Sequence, residues 1–258
     1  MRTMIDLNAD IGESYGEYRM GDDEALLDVV TSANIACGFH AGDYRTMNRA
    51  VKSAVTKGVA IGAHPGYQDL FGFGRRPMAL SPDEVYELLV YQIGAMQGYC
   101  RINSTFLRHV KPHGALYNTA ADDPLVAQAI ARAVKDACPD ARLMGLAGSE
   151  LVHAGHEAGL QVLAEAFADR RYTVNGRLVS RGTPGAVLET VDDVMKQVLR
   201  IVLHQEVESI DGAPVSIQAD TLCFHGDGKE AARLAEIVRT KLEVAGIHCQ
   251  APLPSGGE

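Results

Sequence analysis

Side chains able to move protons or bind ions recur along this chain next to glycine. One cluster reads Asn8-Ala9-Asp10-Ile11-Gly12-Glu13, and Asn34 leads to another at Cys37-Gly38-Phe39-His40-Ala41-Gly42-Asp43. Then come Gly62-Ala63-His64-Pro65-Gly66-Tyr67, Lys111-Pro112-His113-Gly114-Ala115-Leu116-Tyr117-Asn118, the run Glu165 to Tyr172, and Phe224-His225-Gly226-Asp227-Gly228. Histidine, aspartate and glutamate transfer protons near neutral pH. Asp10 or Glu13 suits a general base, and His40, His64, His113 and His225 are the other catalytic candidates. Lys111 and Arg170 can hold a carboxylate or phosphate through charged hydrogen bonds, and Asn8, Asp43 and Tyr117 join them as candidates for substrate or phosphate binding. Asp10, His40 and His64, with Asp43 and Asp227, are also nitrogen and oxygen ligands of the type that suits zinc or manganese. No tight motif such as HExxH accompanies them, so a metal-free acid–base site is preferred.

These clusters need elements to bring them together. Short apolar runs predict strands at Thr3 to Ala9, Ser32 to Cys37, Val59 to Ala63, Arg108 to Lys111, Arg142 to Leu146, Leu160 to Ala166 and Thr221 to Phe224, each of a length that fits a buried parallel strand. Ile247 to Gln250 is either an edge strand or a closing turn. Helices fit between the strands. Ser81-Pro82-Asp83-Glu84 is a capping box with Pro at the first helical position. Asp123-Pro124 opens a second helix and Thr190 with Asp193 a third, over Val191 to His204. Gly58, Gly159 and Gly246 stand where helical patterns stop. Strands and helices in alternation imply a parallel sheet with right-handed crossovers, either closed as a (β/α) barrel or open and doubly wound. Ligands in such folds bind at the carboxyl ends of the strands, where these clusters fall, so the expectation is one shared pocket.

The chain of 258 residues is expected to be a single domain over 1–258. Asn175-Gly176 predicts a hairpin insertion at about 170–186, and the tail at 252–258 is expected to be mobile. A formal net charge of −9 without a long basic run disfavours nucleic acid as a partner. Five scattered cysteines without a CxxC point to reduced thiols and a cytoplasmic location. No signal-peptide core or membrane-spanning stretch is read in the sequence. GxSxG and Walker-A motifs are absent, and Gly226-Asp227-Gly228-Lys229 reads better as a turn into the last helix than as a phosphate loop. Cys37 reads as a small buried hydrophobe.

The ordered set DLNADIGE, NIACGFHAGD, GAHPGY, VKPHGALYN, EAFADRRY and CFHGD resembles the LamB/YcsF family, from Asp6 to Asp227. The resemblance implies a (β/α) barrel of about seven parallel strands, related to glycoside hydrolase and deacetylase barrels. It also implies ATP-dependent hydrolysis of 5-oxoproline to L-glutamate, with ATP as co-substrate, magnesium arriving as MgATP, and B and C subunits for partners. A homo-oligomer is compatible with it. Carried onto matching positions, Asp10, Glu13, His40, His64, Lys111, His113 and His225 are the functional candidates. Two other functions compete: a stand-alone metal-dependent amide or N-acyl hydrolase, and a 5-oxoproline-binding subunit without catalysis of its own.

Overall fold

The computed structural model describes residues 3–224 and 231–253. Strands β1 (Met4–Ile11), β2 (Ser32–Ala36), β3 (Ala60–His64), β4 (His109–Val110), β5 (Arg142–Leu146) and β6 (Val162–Phe167) pair in parallel in that order. Further along, β7 (Glu206–Glu208) and β8 (Pro214–Ser216) form a separate antiparallel pair. Strand β9 (Thr221–Phe224) pairs with both β6 and β1, which closes a seven-stranded barrel. Outside the closure, β10 (His248–Cys249) pairs in parallel with the start of β1. The architecture is the closed barrel rather than the open sheet.

The helices are α1 (Asp23–Leu27), α2 (Tyr44–Lys57), α3 (Pro82–Ile102), α4 (Gly114–Asp122), α5 (Pro124–Ala137), α6 (Glu150–Glu157), α7 (Val191–Leu199) and α8 (Ala231–Val244). Their start signals act locally. Ser81 and Glu84 form the reciprocal capping box of α3, and Asp123 caps α5. Gly58 ends α2 in the left-handed region at φ 70°. The helix expected to reach His204 leaves α geometry earlier: Arg200–His204 is a π-helical turn that keeps Ile201 and Val202 buried.

Several strands extend beyond their hydropathic limits. Strand β1 continues through Asp10 to Ile11, and β3 includes His64. The reason is that the barrel interior is polar. Alternate residues of a strand face opposite sides, so Ile5, Leu7, Ala9 and Ile11 pack in the apolar layer while Asp6, Asn8 and Asp10 are held by polar partners across the barrel.

In the 170–186 segment, Asn175-Gly176 makes a tight turn, with Gly176 at φ 73° and Thr173 N–H donating to the Arg177 carbonyl at 2.7 Å. Its pairing consists of isolated bridges, such as Tyr172 with Leu178, rather than a ladder. At the other end of the described chain, Arg108 and Arg142 donate to the carbonyls of Pro252 and Leu253. Most of the tail read as mobile lies outside the described residues.

Candidate active site

The barrel interior is built in polar layers. At the base, Asp6 accepts hydrogen bonds from the hydroxyls of Thr31, Ser32 and Thr221 at 2.6, 2.7 and 2.5 Å. Burial nevertheless pushes the Asp6 carboxyl up from its ordinary range. One layer higher, Asn34 Nδ2 donates to Asn8 Oδ1 at 2.7 Å and to Asp10 Oδ1 at 2.8 Å. The Asn34 carbonyl oxygen accepts from His109 Nε2 at 2.6 Å. Gly62 makes room for that ring, since a Cβ there would lie 2.0 Å from His109 Nε2. Burial first, and then the Lys111 charge, pushes His109 down to about 3, so its ring is neutral.

The upper layer carries the charge. Lys111, only 2% exposed, places its ammonium 3.0 Å from Asp10 Oδ1 and 2.8 Å from Glu165 Oε1. It also lies 3.1 Å from Cys223 Sγ. Burial works against the Lys111 charge, but Asp10, Cys223 and Glu165 outweigh it and raise the ammonium well above its ordinary range. Tyr117 donates to Glu165 Oε2 at 2.7 Å. Burial and the adjacent Glu165 charge raise this phenol well above its ordinary range, so it stays a donor. Asp10 is thereby held with Oδ1 on Lys111 and Asn34, while Oδ2 lies 3.4 Å from His64 Nε2.

Beside Asp10 stands a wall of histidines. His64 Nδ1 donates to the Lys111 carbonyl and His113 Nε2 to the Phe73 carbonyl, both at 2.8 Å. A carbonyl can only accept, so these outer contacts fix a proton on each outer nitrogen. The two inner nitrogens, His64 Nε2 and His113 Nδ1, face each other at 2.9 Å. His40 stacks on His113 with ring centroids 3.7 Å apart. It is fully buried, and neither of its ring nitrogens has a hydrogen-bond partner. Burial, followed by neighbouring histidines, pushes both His40 and His113 well below the ordinary histidine range. Glu13 Oε1 lies 3.9 Å from His40 Nε2 and 4.0 Å from His113 Nδ1. Glu13, His40, His64 and His113 form the group whose ligand atoms are close enough to share a metal ion.

Asp10, Glu13, His64, Lys111 and His113 open onto a cavity of about 390 Å³. Arg75, Arg170, Arg177 and Arg181 line it too, the last three from the 170–186 segment. Arg170 is buried, with one guanidinium nitrogen on the Val179 carbonyl and Nε without a hydrogen bond. Burial, with Arg181 and Arg75 nearby, lowers it to about 10. Arg177 is paired with Asp122 at 2.5 Å, and several guanidinium groups at one cavity favour an anionic ligand there.

The structure therefore gathers Asp10, Glu13, His64, Lys111, His113, Tyr117 and Arg170 around one cavity, with His40 directly behind it. Asn8 lies a layer below and orients Asn34 and Lys111. Asp43 serves as the N-cap of α2, accepting from the N–H groups of Arg45, Thr46 and Gly16. His225 and Asp227 lie outside the described residues. Sequence reasoning placed Glu165 and Asn34 in the strand-end clusters without a specific role, and gave none to Arg75, Arg177 or Arg181. Four arginines at 170, 171, 177 and 181 were a visible signal, and Glu165 stands at a strand end like Asp10.

Comparison with known proteins gives a concordant result. The model of the LamB/YcsF family matches residues 5–255. The chain is 51% identical over 247 residues to the A subunit of 5-oxoprolinase from Bacillus subtilis strain 168, covering 96% of each. It is 53% identical over 247 residues to the protein of the same name in Methylococcus capsulatus, covering 96% of this chain and 95% of that one. The crystal structure of a lactam utilization protein from Thermus thermophilus superposes with a TM-score of 0.91 at 46% identity, covering 96% of this chain and all of that one. The catalytic domain of a peptidoglycan N-acetylglucosamine deacetylase from Eubacterium rectale shares the fold at 13% identity and a TM-score of 0.50, over the whole of this chain and 91% of that one.

Proposed function

The chain belongs to the LamB/YcsF family, and on that premise we propose that it is a hydrolase that opens the lactam ring of 5-oxoproline to L-glutamate, as the A subunit of an ATP-dependent enzyme completed by B and C subunits. The observation that carries this reading is Asp10, held on Lys111 and beside His64, at a cavity otherwise rich in arginine. Relatives about half identical over nearly the full length, named as A subunits of 5-oxoprolinase, supply the substrate class.

The geometry suits each step. Arg170, with Arg75 and Arg181 near it, holds the substrate carboxylate or a phosphoryl group. A five-membered lactam is a stable amide, and ATP drives its opening. Phosphorylation of the lactam oxygen by MgATP makes the ring carbon electrophilic and releases ADP. Water, deprotonated by Asp10 or Glu13, adds to that carbon. The C–N bond then breaks and the ring nitrogen takes up a proton, leaving a γ-acyl phosphate. A second water releases phosphate and glutamate. The Lys111 ammonium and the Arg170 guanidinium supply positive charge at the cavity as negative charge develops on the reacting oxygen. This chain carries no Walker-A sequence, which fits a nucleotide bound either at a site of another kind or on or between the partner subunits. The histidine cluster with Glu13 favours a second reading, metal-assisted amide hydrolysis without ATP.

The test is reconstitution with B and C subunits, 5-oxoproline and MgATP, omitting each component in turn and measuring glutamate and phosphate together. Glutamate and phosphate formed in step, and only with every component present, is the expected result. Glutamate formed without ATP transfers support to the second reading, and no glutamate from a complete mixture overturns the assignment.

A further inference from the structure

The histidine wall contains a geometric conflict. Its outer contacts place N–H groups on the Lys111 and Phe73 carbonyls. Two neutral imidazoles fixed in that way point their lone pairs at each other across 2.9 Å. Two lone pairs at that distance repel unless something positive lies between or beside them. His40 adds a third ring, buried, with both nitrogens unsatisfied, where a buried polar side chain ordinarily has a partner.

The packing leaves these rings little freedom. A Cβ at Gly66 would come within 2.7 Å of His40 Nδ1, and one at Gly74 within 2.7 Å of His40 Cβ and 2.8 Å of His113 Cδ2. Two glycines thus make room for the stacked His40 and His113 rings beside Glu13. Backbone carbonyls that hold the far nitrogen of a histidine are the usual supports of a metal-binding ring, because they fix the tautomer and aim the other lone pair.

We propose that Glu13, His40, His64 and His113 hold a divalent transition-metal cation of the zinc class. Their ligand atoms all lie within 4.8 Å of one another. Tetrahedral zinc with bonds near 2.0–2.1 Å sets its ligand atoms about 3.3 Å apart, so each has to move by about 1 Å or less. Three imidazoles with one carboxylate select zinc, manganese, iron or cobalt over magnesium and calcium, which take oxygen ligands. The cation resolves the lone-pair conflict between His64 and His113 and gives His40 its missing partner. It would sit on the same side as Asp10 Oδ2, which lies 3.4 Å from His64 Nε2, where it polarises an oxygen bound in the cavity.

The test is binding by the isolated full-length chain, so its outcome is independent of lactam turnover. Chelator-stripped protein is titrated with Zn²⁺ by calorimetry, with Mg²⁺ as the comparison ion. About one equivalent of Zn²⁺ is expected, and no saturable Mg²⁺ binding. His40→Ala and His64→Ala should each weaken Zn²⁺ binding by at least about 10–100-fold. His153→Ala should leave it unchanged, because the exposed His153–Glu157 pair is the obvious place for adventitious metal. Should either wall variant not fold, the wild-type chain loaded with Co²⁺ still decides the question: the visible d–d bands of a nitrogen- and oxygen-ligated site support the proposal. Absence of those bands, absence of stoichiometric Zn²⁺ binding, or binding lost in His153→Ala but kept in His40→Ala overturns it.

Discussion

Replacing Lys111 by methionine keeps most of the side-chain volume and removes the charge that joins Asp10 to Glu165. Lys111 is 2% exposed and lies 3.0 and 2.8 Å from the two carboxylates. Breaking a buried ion pair from one side leaves an uncompensated charge and costs about 3–5 kcal/mol, so Lys111→Met should lose that much stability at pH 7.5. Glu165→Gln in the same chain removes one of the stranded charges. The double variant should then be more stable than the sum of the single losses by about 0.5–3 kcal/mol, the coupling expected of residues in direct contact. In the wild type, the ammonium is raised above its unfolded value. Its contribution is therefore complete below about pH 10.5 and is lost only as pH rises through the higher folded value. In Lys111→Met the stranded carboxylates take up protons more readily than in the unfolded chain, so the deficit should shrink as pH falls from 7.5 toward 5. Urea denaturation of the four proteins at both pH values measures all of this. A Lys111→Met protein within about 1 kcal/mol of wild type, or strictly additive losses, refutes the view that this charged layer fixes Asp10.

His109 is held neutral, with its folded value lowered to about 3. The unfolded chain therefore binds one more proton below about pH 6.5, and stability falls by about 1.4 kcal/mol per pH unit from there down to pH 3 on account of this ring; His109→Gln should flatten that slope in urea melts at pH 7, 6 and 5. Tyr117→Phe removes the donor to Glu165 Oε2 and should cost about 1.5–3 kcal/mol, the range for hydrogen bonds to charged groups, read by thermal or urea denaturation. Arg170→Lys keeps the charge but loses the guanidinium fork, and the KM for 5-oxoproline in the reconstituted enzyme should rise about 10-fold with a smaller change in kcat.

The strand and helix order of the barrel was legible because the strands are short apolar runs and several helices carry explicit caps. Ser81-Pro82-Asp83-Glu84 and Gly58 fixed their boundaries by local chemistry alone. Strand ends were less legible, since Asp10 and His64 read as loop residues although they continue their strands into a polar interior. The β7–β8 pair escaped notice because its strands are three residues long and mostly polar, although Asp211-Gly212 marks its turn. At the site, the strand-end clusters predicted convergence, and most of them converge. Sequence could not show the ion pairs of Lys111 or the facing nitrogens of His64 and His113, because those depend on register across strands far apart in the chain. Asp43 shows the opposite limit: its cluster looked like part of the site, but its carboxylate is used in capping α2.

The central claim is that the lactam is opened in this cavity with Asp10 taking part in proton transfer. Asp10→Asn preserves shape and most hydrogen bonds while removing one of the two candidate bases, the one held on Lys111. In the reconstituted enzyme, the rate of glutamate formation at saturating 5-oxoproline and ATP should fall by about 10²–10⁴, with circular dichroism and assembly unchanged. Glutamate formation within about threefold of wild type would contradict the account and move the chemistry to another residue or another subunit.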